Sequence, residues 1–82
     1  MALSRAAVNG VEARNQYNAA LPLFRAMQDQ PGEAWTVERL ADIHSATGEI
    51  EDARNHRMQA LSLFTAIQQA DSVLRVQRKF TP

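Results

Sequence analysis

Ala13-Arg14-Asn15-Gln16-Tyr17-Asn18-Ala19-Ala20-Leu21-Pro22-Leu23-Phe24-Arg25-Ala26-Met27-Gln28 returns forty residues later as Ala53-Arg54-Asn55-His56-Arg57-Met58-Gln59-Ala60-Leu61-Ser62-Leu63-Phe64-Thr65-Ala66-Ile67-Gln68. Aligned from 13 to 30 over 53 to 70, nine of 18 ungapped positions are identical: Ala13/Ala53, Arg14/Arg54, Asn15/Asn55, Ala20/Ala60, Leu21/Leu61, Leu23/Leu63, Phe24/Phe64, Ala26/Ala66 and Gln28/Gln68. Any two amphipathic helices share apolar spacing. They do not for that reason share the polar pair Arg-Asn after a leading Ala, so the chain holds an internal repeat. Asn9-Gly10 aligns upstream with Thr47-Gly48 if the first copy is two residues shorter.

Both copies read as helices. Ala13, Tyr17, Ala20, Leu21 and Phe24 fall on one face of a 3.6-residue period, as do Ala53, Ala60, Leu61, Phe64 and Ile67, with Arg57 standing where Tyr17 does. Acids at the starts (Glu12, then Glu49, Glu51 and Asp52) complement the positive end of a helix dipole. Gln30-Pro31-Gly32 marks a break, and a further helix is predicted from about Glu33 to Thr47 with the stripe Ala34, Val37, Leu40, Ala41, His44. Gly48 caps it, and the tight connection makes an antiparallel hairpin. A break near Ala70-Asp71, with Asp71 as N-cap, precedes a last helix over 72–80. Pro22 lies inside a helix, where a kink with the helix continuing is expected. The expected fold is all-α: antiparallel helical hairpins stacked as a short α-solenoid of about five helices. It forms one domain over 1–82, with a first repeat at 1–30, a second at 33–70 and a terminal helix at 72–80.

Composition narrows the chemistry. Nine basic side chains balance nine acidic ones among 82 residues, which speaks against nucleic acid as a partner. Cysteine is missing, which excludes disulfides, thiolate catalysis and Cys-ligated zinc. No apolar run reaches the roughly 18 residues of a membrane helix, so a soluble cytoplasmic protein with no membrane partner is expected. His44 and His56 sit on the two helices of one hairpin, and Asp42 or Asp52 would have to complete a metal site; the packing role of a core histidine is preferred, and neither metal nor cofactor is expected. Ser4, Ser45, Ser62 and Ser72 lack a nucleophile elbow, and no Gly-rich phosphate loop occurs. The chain therefore reads as no enzyme.

The stretch Leu40-Ala41-Asp42-Ile43-His44-Ser45-Ala46-Thr47-Gly48-Glu49-Ile50-Glu51-Asp52-Ala53 resembles the Leu-Gly/Ala-x-x-Tyr-x-x-x-Gly-x-x-x-x-Ala core of the tetratricopeptide repeat, and Ala60-Leu61 is similar to its later Ala-Leu pair. The period of 40 exceeds the family's 34, which is similar to its long-helix variety, and His44 and Arg57 stand where aromatic residues are usual. The resemblance implies small residues at helix crossings, here Ala13, Ala20, Ala41, Ala53 and Ala60. It also implies a concave groove lined by the first helix of each hairpin, with Trp35, Glu38, Asp42 and Ser45 as its floor and Arg78 in a basic last turn. Relatives that clamp a peptide's terminal carboxylate carry Lys and Asn where this chain has Glu38 and Asp42. A neutral or basic protein segment is the ligand expected instead. Trp35 either anchors that ligand or packs against the preceding helix, and both readings stand. The function so implied is a protein–protein interaction scaffold, either by itself or as part of a larger regulator. The alternative is a self-assembly module whose unfinished repeat ends pair, because fewer than about three repeats bury little.

Overall fold

The computed structural model describes residues 2–80, with side chains described from Val11 to Phe80. Among these residues there are four helices, where the sequence suggested about five: α1 (Ala2–Ala26), α2 (Gln30–Ala46), α3 (Ile50–Ala66) and α4 (Ala70–Arg78). The expected short first helix and the long one after it are continuous as α1. Gly10 lies within it. A glycine permits a left-handed turn residue without requiring one, and inside a helix it costs only about 1 kcal/mol relative to Ala. Pro22 lies inside α1 as well, exposed, with the helix continuing to Ala26.

The three turns are copies of one another. Gln28, Gly48 and Gln68 each take a left-handed backbone, with φ of 56°, 82° and 60°. After each, the next amide reaches back across the helix end: Asp29 N to Phe24 O at 2.8 Å, Glu49 N to His44 O at 2.8 Å, and Gln69 N to Phe64 O at 2.9 Å. The left-handed residues themselves donate to Arg25, Ser45 and Thr65 carbonyls. This pair of bonds is the Schellman motif, which satisfies the last carbonyls of a helix. Helix starts at 30, 50 and 70 follow, so α2 and α3, each with the turn after it, span 20 residues apiece and their hairpin 40.

Two boundaries differ from expectation. The first break lies at 27–29 rather than at Gln30-Pro31-Gly32, because Pro31 fills the first turn of α2, where its missing N–H would have had no helical partner. Asp29 caps that turn, accepting from Gly32 N at 3.0 Å. The N-cap of α4 is Gln69 and not Asp71, because the Schellman turn at Gln68 sets the helix start two residues earlier.

Each helix packs on the next: α1 on α2, α2 on α3, and α3 on α4. The core gathers Leu21, Ala34, Val37, Leu40, Ala60, Phe64 and Val76, flanked by Tyr17, Leu61, Leu63, Ile67 and Val73. Of the α2 stripe, Ala34, Val37, Leu40 and Ala41 are buried and His44 is half-buried. Ala41, Ala53 and Ala60 are buried at the crossings. Ala13 and Ala20 are only half-buried, since α1 has α2 as its main neighbour and α3 has two. No helix of the described residues is long and apolar enough to cross a membrane.

Candidate interaction surface

Glu38 is the least expected residue of the fold. It leaves the α2 stripe, yet its side chain is only 5% exposed. The reason lies on α4. Arg75 lays Nε and Nη2 on the two carboxylate oxygens at 2.8 and 2.7 Å, and Lys79 Nζ adds a bond of 2.9 Å. Lys79 also donates to both oxygens of Asp42 at 3.1 and 3.0 Å, and Arg57 of α3 approaches Asp42 at 3.5 Å. Acids four apart on α2 thus meet bases four apart on α4, each pair on one helix face. Arg75 holds the Glu38 carboxyl at about 2, well below its ordinary 4.5; Lys79 adds to this, and burial opposes it. Glu38 in turn raises the pKa of the Arg75 guanidinium. The same guanidinium lies 5.6 Å from the Phe64 ring centre.

The structure gives Glu38 and Asp42 a shared basic partner from the chain itself, Lys79. Trp35 stands apart from them at 43% exposure. Its ring meets Tyr17 edge-on at 5.6 Å, and the Arg39 guanidinium lies 5.0 Å from its centre. Trp35 therefore both packs against the preceding helix and keeps a solvent-facing side. Ser45 is half-buried one turn beyond Asp42, and Arg78 is exposed in the last turn of α4. The pairing of Arg75 and Lys79 with Glu38 and Asp42 was missed from sequence. Its signal is the matched i, i+4 spacing of opposite charges on two helices forty residues apart.

A second polar cluster closes the α2–α3 turn. Glu49 Oε1 accepts from Arg14 Nη2 at 2.8 Å and from the Thr47 hydroxyl at 2.7 Å, with His44 Nδ1 at 3.0 Å. Thr47 leads these in holding the Glu49 carboxyl down at about 2, followed by His44 and Arg14. His44, Glu49 and Asp52 offer ligand-type atoms within 4.8 Å of one another. The Glu49 oxygen is already taken by an arginine cation and a hydroxyl, so the cluster reads as a tie between α1 and the turn. His44 and His56 stack with ring centres 4.8 Å apart, and His56 Nδ1 lies 2.8 Å from Asp52 O.

Large apolar side chains are exposed on every helix, Trp35 on α2 and Ile50 and Met58 on α3 among them, and those at the two ends of the fold differ from their repeat equivalents. At the C-terminal end of α1, Leu23 is 62% exposed and Met27, just past the helix, 66%, whereas their repeat equivalents Leu63 and Ile67 pack on the core. On α4 Leu74 is 52% exposed, and Phe80, two residues past the helix, 40%, whereas Ala34 and Leu40, forty residues before them, are buried. Val73 and Leu74 also line an apolar depression with Thr65, Gln68, Gln69 and Ala70. Compared with known proteins, the chain matches no family model, no curated protein and no solved structure.

Proposed function

We propose that the chain is a cytoplasmic, tetratricopeptide-like interaction scaffold with no catalytic chemistry of its own, and that it meets a protein partner through the apolar faces of α1 and α4. The observation carrying this reading is the exposure of Leu23, Met27, Leu74 and Phe80 at positions whose repeat equivalents are covered. Exposed apolar side chains that gather into a patch mark interaction sites. The titratable clusters point the same way. Glu38 is neutralised by Arg75 and Lys79, and Glu49 by Arg14, which suits structural ties better than proton transfer. The buried Ala41, Ala53 and Ala60 and the 20-residue helix spacing support the likeness to helical repeats.

Affinity capture from cell extract tests the reading with the wild type, Leu23→Glu/Met27→Glu and Leu74→Glu/Phe80→Glu. The expected result is a protein held by the wild type and lost from one or both end variants. Equal capture by all three overturns it.

A second reading keeps the concave face as the binding surface, and the partial exposure of Trp35 and of Asp42 favours it. A basic segment would then compete with Lys79 for Asp42. Lys79→Ala should strengthen the binding of a basic peptide, and added salt should weaken it. A peptide affinity unchanged by Lys79→Ala and by Trp35→Ala removes this reading.

A further inference from the structure

We infer that the α4 face of one molecule takes the α1 face of a second copy, so that copies add head to tail. This rests on the end-face reading above and names its partner. The repeat supplies the argument. From residue 13 onward α1 is the sequence equivalent of α3, with nine of 18 positions identical, and α4 begins at Ala70, forty residues after α2 begins at Gln30. The most extensive helix pairing in the molecule is α2 on α3. Setting α1 of one copy on α4 of another rebuilds that pairing between molecules.

Each exposed residue has a place in the rebuilt interface. Leu74 and Phe80 stand where α2 buries Ala34 and Leu40, and Leu23 and Met27 stand where α3 packs Leu63 and Ile67 on the core. All four are apolar, which suits a contact made by burial. A symmetric α4–α4 contact would put together two helices of the α2 type. Inside the molecule that combination is ionic, through Glu38 with Arg75 and Lys79. The two faces are different surfaces, so the contact is heterologous and does not close on itself in a pair; it continues into larger assemblies. Helix α4 has nine residues against 17 in α2, which makes the contact between copies weaker than the hairpin it imitates.

Sedimentation velocity on the full 82-residue chain tests the inference. Over about a hundredfold concentration range the sedimentation coefficient should rise without settling at a dimer. Leu23→Glu/Met27→Glu and Leu74→Glu/Phe80→Glu should each be monomeric alone. Mixed in equal amounts, they should form a dimer that grows no further, because each supplies the face the other lacks. Met58→Glu, on the exposed side of α3, should assemble like the wild type. Circular dichroism checks that every variant stays helical. If a glutamate pair unfolds the chain, the absence of cysteine allows Leu23→Cys and Leu74→Cys to replace it. On mild oxidation of a mixture, crosslinks between the two variants should exceed those within either. A wild type that stays monomeric throughout overturns the inference, as does a double variant that dimerises alone, a mixture that stays monomeric, or crosslinks without preference. A monomeric wild type leaves the end-face reading to the capture experiment, which fails on its own terms if the end variants hold what the wild type holds.

Discussion

Arg75 of α4 grips Glu38 of α2 with two parallel hydrogen bonds, 2.8 and 2.7 Å long, across 37 residues of sequence. This bidentate geometry is the strong form of an ion pair. It fastens the nine-residue α4, which packs chiefly on α3, to the centre of the fold. Glu38→Gln keeps the shape of the side chain and removes its charge, leaving two cations facing a neutral amide. A loss of about 1.5–3 kcal/mol is expected, read from urea unfolding. An unchanged midpoint would mean that α4 holds by its apolar contacts alone.

The same pair sets an acid limit. Glu38 is held at about 2 in the folded chain, against an ordinary value of 4.5. A depressed carboxyl contributes stability that is complete above the unfolded value and is lost as pH falls toward the folded one. Glu49, held at about 2 by Thr47, His44 and Arg14, acts with the same sign. The melting temperature should therefore fall between pH 4.5 and 2, with a shallower slope in Glu38→Gln. Equal slopes in the two proteins would remove Glu38 from the acid response.

The three left-handed turn residues are unequal in chemistry and equal in geometry. Gln28 and Gln68 take φ of 56° and 60°, a region that disfavours a Cβ, while Gly48 takes 82° without that strain. Gln28→Gly and Gln68→Gly should each raise stability by about 0.5–1 kcal/mol, and Gly48→Ala should lower it by about 1 kcal/mol. Thermal melts of the three variants decide the matter. A destabilised Gln28→Gly would show that the glutamine side chain contributes more than its backbone strain costs.

Ala53 and Ala13 are repeat equivalents in different surroundings. Ala53 is buried between α2 and its own helix, and Ala13 is half-buried on α1. Ala53→Leu should cost about 1–3 kcal/mol through overpacking. Ala13→Leu should stay within about 0.5 kcal/mol. Similar losses at both sites would mean that α1 is covered more fully than the fold shows.

Gly32 sets two effects against each other. Alanine there improves helix propensity by about 1 kcal/mol at most. Its Cβ would stand 2.5 and 2.7 Å from two Phe24 ring carbons and 2.9 Å from the Asp29 carboxylate that caps the helix. Overpacking of this kind costs about 1–3 kcal/mol, so Gly32→Ala should lower the melting temperature. A raised one would show the Phe24 ring free to swing away.

Much of the architecture was legible in the chain because it is written in local periods. The Ala53 face and the Ala34-Val37-Leu40-Ala41-His44 stripe each state which side of a helix is buried without reference to any other residue. Boundaries were legible only to within a few residues. Gln30-Pro31-Gly32 is a breaker by composition, and whether such a proline ends one helix or begins the next depends on the turn before it. Gln28 and Gln68 gave no sign of a left-handed backbone, since glutamine has no preference for it. Their identity in the two copies was visible, and its meaning was not.

The sequence by itself determined the helical class and the forty-residue repeat, because these follow from propensity and spacing along the chain. Only the tertiary structure decided where the charges go. Glu38 and Asp42 read equally well in the sequence as solvated acids or a groove floor, and they are half of an internal bridge. The choice fell to Arg75 and Lys79, which the α3–α4 turn carries back across α2. The tertiary structure also decided which of two equivalent faces is covered. Leu23 and Leu63 are the same residue in the same pattern. One packs on the core and the other meets solvent, because burial belongs to the neighbours a helix has and not to the helix.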